Sequence, residues 1–377
     1  MTTHTQPFRR RLQVQAGAVD RHDSIVLVPL GLPPGAAVLL YEEGQPAEPV
    51  PAQVDPAGNL VWVLHGPTPA GAARTFIVEA GADGPHQNLV SVQVYPAILV
   101  IKAGDRLVAH YNYTGVWKPY LCPLMGPTGN VVRGAAAEHQ HQAGLFFSYG
   151  GHFTPTNIWS DWDEPIYGPD GKMLHRGFVT VTGGPVFACI VQRVAYMAAD
   201  GSILLDERRE LRVYPLPHGV TVVDFVRTCP RPQEPSTGPF GLSCRVADAL
   251  RTVDMTRRGP PPERRMLPTD NPGKMESATG EVSQGERLES VRWLDRSGAL
   301  PGGWGGLAFF DHPSNPGYPG RLSAAGYGTM GLAYDFPPGL EVATWRYRVY
   351  THAGDAAQAQ IETRWQDFAH PPQVIVD

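Results

Sequence analysis

Four long runs between residues 176 and 228 constrain this chain more than any other feature. RGFVTVT (176–182) turns at Gly183-Gly184 into PVFACIVQRVAYM (185–197); AADGS then leads into ILLDERRELRVY (203–214), and LPHG into VTVVDFVRT (220–228). Strands joined by connections this short pair antiparallel, with successive side chains on opposite faces. They are too long for a small barrel, so the expected fold class is all-β, a large antiparallel sandwich. The 42 glycines and 38 prolines follow no collagen period and serve as turn punctuation. A hydrophobic fraction of 42% is ample for a sandwich core.

Upstream, SIVLVPL, AAVLLYEEG, NLVWVLHG and TFIVEAG are shorter strand-like runs separated by Gly/Pro turns. They predict a small N-terminal β-sandwich domain over 1–95, with GADGPHQNL (81–89) as linker and the large domain over 96–377. Residues 256–287 are rich in Pro, Arg and Gly and read as a long excursion, either a functional lid or a surface loop. One helix is expected, in GDAAQAQIETRWQDF. There Asp355 can N-cap, Gln358 can close a capping box, and Ala357, Ile361, Trp365 and Phe368 share a face.

Charge and composition narrow the partners. The net charge is −5 and no Lys/Arg stripe occurs, so nucleic acid is not an expected partner. No apolar run approaches a bilayer span and no signal-peptide core is evident, so a cytoplasmic protein without membrane association is expected. Cys122, Cys189, Cys229 and Cys244 form no CxxC pair and are expected to be reduced. Gly326-Tyr327-Gly328-Thr329-Met330-Gly331 fits GxGxxG, but LAYDFPPG follows where a dinucleotide site needs a helix, so the match is rejected. GLSCR lacks the second glycine of a nucleophile elbow.

The densest chemistry lies in RGAAAEHQHQAGLFFSYGGHF (133–153). Residues two apart share a face on a strand and not on a helix. Read as a strand, EHQHQAGLFF presents His139 and His141 together, with Glu138 opposite unless a bulge re-aims it. Two imidazoles on one face can ligate a divalent metal ion, bracket a substrate hydroxyl, or simply be satisfied polar groups at a sheet end. A cupin would place a glutamate four or five residues later, where Leu145 and Phe146 stand; this argues against an iron dioxygenase.

Further candidates crowd the neighbouring sequence. Lys118, Tyr120, Asn130 and Arg133 precede the histidines, and His152, Asn157, Trp159, Asp161, Trp162, Asp163, Glu164, His175 and Arg176 follow. Aromatic rings beside carboxylates and amides are the chemistry of a sugar cleft. In LLDERREL, alternation puts Glu207 and Arg209 on one face, pointing into a polar cleft or lying on a solvated sheet face. Asp311, His312 and Asn315 sit in a Pro-rich loop that could close over the same site. Singly, each of these is as well explained by a structural role.

KPYLCPLMGPTGNVVR, EHQHQAGLFF, NIW, DERRE, RWLDRSG, FFDHPSNP and RYRVYTHAG, in that order over roughly 110–370, resemble the PmoA-like family of uncharacterised bacterial proteins. Its members usually read Asp-His-Pro-His-His-Arg-Gly where this chain reads Glu138-His139-Gln140-His141-Gln142-Ala143-Gly144. The family label borrows from a membrane methane monooxygenase subunit; with no membrane span here, that activity is set aside. The family is similar to galactose-mutarotase-like supersandwiches, which implies a large β-supersandwich that binds sugars on the concave face of a large sheet and often uses His with Glu or Asp.

Residues and resemblance together lead to one expectation: a carbohydrate-active enzyme acting on a glycoside or an oxidised (keto) sugar by elimination, hydrolysis or epimerisation. His139 and His141 would be the acid–base pair or the ligands of a divalent metal ion, with Arg133 and Glu138 beside them. Lys118, Tyr120, His152, Trp159, His175, Glu207, Arg209 and His312 would contact a small-molecule sugar or glycoside. The alternatives are a non-catalytic carbohydrate-binding protein and, third, a metal-dependent oxygenase.

Overall fold

The computed structural model describes residues 8–81, 89–135, 141–150, 156–158, 171–233, 240–254, 267–282, 287–288 and 291–377. The four long runs are strands Lys172–Thr182, Ala188–Met197, Ile203–Pro215 and Thr221–Pro230, side by side in chain order. Val342–Ala353, Gly303–Asp311, Trp293–Leu300, Lys274–Ser277 and Gly280–Glu281 extend them into a nine-stranded antiparallel sheet. A ten-stranded sheet packs against it. Its centre is Arg106–Asn112, Tyr120–Gly126, Leu145–Ser148, Gly241–Arg245 and Thr329–Ala333.

Alternation builds the core between these sheets. Leu121, Leu145, Phe147, Leu242 and Met330 meet Ile190, Val194, Leu211, Phe225 and Trp345 from the other sheet. Burying such side chains contributes about 1.5–3 kcal/mol each. The run ACIVQRVAYM is nearly apolar throughout because its strand is covered on both faces. Cys189 and Val191 turn outward and pack with Val61, Val63, Ile361 and Trp365 in a second core.

The N-terminal unit has its own core, including Leu12, Val26, Trp62 and Phe76. Its five-stranded sheet is completed by the last strand of the chain, Gln373–Val376, paired with Phe8–Gln15. Val90–Val94, by contrast, is an edge strand of the ten-stranded sheet. The expected division at 95 therefore differs from the pairing at both ends: strand pairing, which is non-local, assigns these segments. Residues 82–88 of the expected linker lie outside the described residues.

The helix is Ile361–Ala369, shorter than its sequence pattern. Asp355 and Gln358 do exchange the expected bonds, Asp355 N donating to Gln358 Oε1 (3.0 Å) and Gln358 N to Asp355 Oδ1 (3.1 Å). Gln360 then takes a left-handed conformation at φ 54°, which detaches that turn from the helix. Ala356, Ile361, Trp365 and Ala369 are buried, and Ala357 is exposed. Within the 256–287 excursion, Lys274–Ser277 pairs with Trp293–Leu300 as part of the sheet; 256–266 and 283–286 lie outside the described residues. No helix among the described residues is long and apolar enough to cross a membrane. All four cysteines are free thiols.

Candidate functional site

Because Leu145 and Phe147 enter the core, Phe146 and Ser148 face away from it, and the same alternation turns Tyr120, Ser243 and Arg245 outward. Cross-strand pairing aligns Tyr120, Phe146 and Ser243 in one row. The Lys118 ammonium lies 4.5 Å from the centroid of the Phe146 ring and is 3% exposed. Ser148 and Ser243 share a hydroxyl–hydroxyl bond of 3.0 Å. Burial, then the neighbouring Cys122, raises the Tyr120 phenol above its ordinary range, so at neutral pH it is a neutral hydrogen-bond donor.

Beside this row, three distant segments close a ring of backbone hydrogen bonds. Arg133 N donates to Arg245 O (2.9 Å), Arg245 N to Gly144 O (2.8 Å), and Gly144 N to Arg133 O (2.7 Å). Gly144 is required there: its φ is +62°, and a Cβ would lie 2.1 Å from Leu121 O. The Arg133 guanidinium meets Asp248 at 2.8 Å, and Asp248 also takes Arg251 at 3.4 Å. Arg245, fully buried, donates from Nη1 to Gln142 Oε1 at 3.1 Å, and its guanidinium lies 4.9 Å from the Tyr327 ring centroid.

This geometry corrects the reading of the histidine run as a strand. The strand is Leu145–Ser148, and His141 stands in a turn before it, 4% exposed. The left-handed Gly144 breaks the extended backbone between His141 and that strand. Glu138, His139, His152, Trp159 and Asp161–Glu164 lie outside the described residues. Among the described residues, no three His, Cys, Asp or Glu side chains form a group able to hold a metal ion.

The sheet face brings together Lys118 and Tyr120, and the backbone ring beside it ties Arg133 to the turn that carries His141. Neither brings in the other described candidates. Glu207 and Arg209 are 0% and 1% exposed and point between the two sheets, so they line neither a cleft nor a solvated face. Their partners explain this. Glu207 accepts from Arg209 (2.6 Å), from Arg227 (2.9 Å) and from Tyr196 OH (2.6 Å), and Arg209 and Arg227 lie 4.4 and 4.6 Å from the Phe147 ring centroid. His175 joins the edge of this interior network: its Nδ1 is 2.7 Å from Gln192 Oε1, and Gln192 Nε2 donates to Tyr111 OH. Burial lowers the His175 pKa. His312 directly follows the Gly303–Asp311 strand of the other sheet, edge-on to Phe368 of the helix with centroids 5.0 Å apart, and its Nδ1 accepts from the Ser314 amide (3.1 Å). Its Pro-rich loop is pinned instead by Asp311, which accepts from Asn315 and Gly320 N (both 2.8 Å). Asn130 is likewise structural, closing its hairpin by accepting from Leu124 N (3.1 Å).

Sequence reasoning missed Arg245, Gln142 and Ser243. The signal was present in GLSCR, where alternation puts Gly241, Ser243 and Arg245 on one face. Tyr327 belongs to the rejected glycine motif, which is a hairpin turn leading into the Thr329–Ala333 strand. Two crevices, of about 350 and 310 Å³, lie at the seam of the two domains, lined by Gln53, Thr180 and Gly184 and by Val63, Leu89 and Val186.

The sequence profile of a family of unknown function, DUF6807, matches residues 99–366. The chain belongs to this family. The matched span holds the central strands of the ten-stranded sheet and stops within the C-terminal helix, leaving the N-terminal domain and the Val90–Val94 edge strand outside it. The chain matches no curated protein.

Proposed function

We propose that the outward face of the ten-stranded sheet binds a sugar or glycoside and that the protein is a carbohydrate-active enzyme. The observation that carries this reading is the gathering of Lys118, Tyr120, Phe146, Ser243, Arg245 and the His141 turn on one face. Aromatic carbon for a sugar's apolar side lies there beside donors for its hydroxyls. The reaction is elimination, hydrolysis or epimerisation at a glycoside or an oxidised (keto) sugar. His141 is the group suited to move a proton near neutral pH. His139, two residues away in sequence, is its proposed partner, either as the second acid–base group or as fellow ligand of a divalent metal ion. Tyr120 and Lys118 would meet the oxygen on which charge develops. The resemblance to mutarotase-type sandwiches supports the same reading, and free cysteines accord with the cytoplasmic setting proposed.

The test is a panel of uronates, keto sugars and neutral oligosaccharides, followed for binding by calorimetry and for turnover by chromatography. The expected result is turnover of at least one class, lost in folded His141→Ala. Binding without turnover would make the protein a carbohydrate-binding module. No binding to any class would end the sugar reading.

A further inference from the structure

We infer that Arg245 is a positioning residue for His141, acting through Gln142. Its functional meaning rests on the sugar-site reading above, whereas the contacts and their test do not.

Arg245 is anchored at every level. Its backbone N and O hold Gly144 and Arg133, so the strand end and the turn that carries His141 are tied to one residue. One edge of the guanidinium donates to Gln142 Oε1, and the Tyr327 ring lies beside it. A planar fork held by an amide and an aromatic ring has its plane fixed, which a lysine ammonium cannot reproduce. Gln142 directly follows His141, and Gly144, two residues further on, is fixed by the backbone ring. The turn is thus held at both its side chain and its backbone. A proton-transferring imidazole needs such support, because catalytic geometry must be kept within about 0.5 Å. Nothing in GLSCR or QHQAG alone shows this pairing, since the two residues are 103 apart.

The experiment follows the His141 ring nitrogens in the full chain labelled with 15N-histidine, the signal assigned by its loss in His141→Asn. Gln142→Leu removes the acceptor, Gln142→Glu keeps it, and Arg245→Lys keeps the charge without the fork. The His141 signal is expected to shift or broaden in Gln142→Leu and Arg245→Lys and to stay as in the wild type in Gln142→Glu. Should Arg245→Lys not fold, the two Gln142 variants decide. An unchanged His141 signal in folded Gln142→Leu, or an equal change in Leu and Glu variants, overturns the inference. The tightest-binding sugar of the panel is then titrated. Gln142→Leu should weaken it about tenfold and Gln142→Glu should restore it, as one charge-assisted hydrogen bond implies. If no sugar binds, the sugar reading falls while the nitrogen signals still decide the role of Arg245.

Discussion

Glu207 and Arg209 lie two residues apart on one strand, both sealed between the large sheets, with Arg209 Nε 2.6 Å from Glu207 Oε1. Arg227 from the adjacent strand meets the other carboxylate oxygen at 2.9 Å, so one carboxylate serves two buried guanidinium groups. The aromatic rings of Phe147 and Phe240, within 4.4–4.6 Å of these cations, add cation–π attraction. Replacing Glu207 with Gln removes the only carboxylate of this cluster among the described residues. The expected cost is about 3–5 kcal/mol, the usual penalty for leaving buried charge uncompensated, read from the denaturant midpoint.

The same carboxyl sets an acid limit. Burial would raise its pKa, but the Arg209 and Arg227 charges, with hydrogen bonds from Arg209 and Tyr196, hold it down from 4.5 to about 2. A depressed carboxyl stabilises the fold above its unfolded pKa, and that stability is lost as pH falls toward the folded value. Wild-type stability should therefore decline between pH 4.5 and about 2. Glu207→Gln should flatten that part of the profile; an unchanged slope would contradict the assignment.

His312 works in an adjacent window. Burial, then the Arg346 and Arg348 charges, lowers its pKa from 6.5 to about 4. Between those values the unfolded chain binds a proton that the native protein does not, so stability rises with pH over that range and is lost as pH falls. His312→Phe should remove this component, as seen in melting temperature against pH, and should leave the binding of any sugar to the ten-stranded sheet unchanged.

His352 and Asp295 form a buried pair, Nε2 to Oδ2 at 2.6 Å, on the far side of the nine-stranded sheet from the core. Burial works against the imidazolium, but the Asp295 charge and hydrogen bond prevail and raise its pKa above 6.5. Its stabilisation is fully present below pH 6.5 and is lost as pH rises through the elevated value. His352→Leu should cost about 3 kcal/mol at pH 6, by leaving Asp295 buried and unpaired. The difference from wild type should narrow on the alkaline side in paired denaturant titrations.

Gly144→Ala tests the backbone ring directly. With φ at +62° and a Cβ placed 2.1 Å from Leu121 O, the turn must move or strain. The expected loss is at least about 2 kcal/mol, accompanied by faster amide exchange at Arg133 and Arg245. Retention of both amides would show that the ring tolerates a side chain there.

The meander was legible because each run carries its own alternation and its own turn, and the strands fall where those runs predict. The candidate site was legible in part. Lys118 and Tyr120 meet one row of the sheet, and Arg133 is bonded through its backbone to Gly144 of the turn in which His141 stands. Glu207 and Arg209 were correctly placed on one face, but not on the face's true surroundings. His312 was grouped with the site through its loop composition, yet that loop leaves a strand of the opposite sheet. The helix pattern was real, and its start was displaced by one residue, Gln360, in a left-handed conformation.

Alternation and turn chemistry are local, so the sequence by itself determined an all-β chain, its long antiparallel strands, and which side chains share a face. Which face becomes core depends on what packs against it, and that is settled by contacts far apart in the chain. Only the tertiary structure set Arg227 against Glu207 between the sheets, carried the last strand back to the first domain, and set Arg245 against Gln142. In each case the partner that decides the residue's chemistry lies many residues away, where no local pattern can specify it.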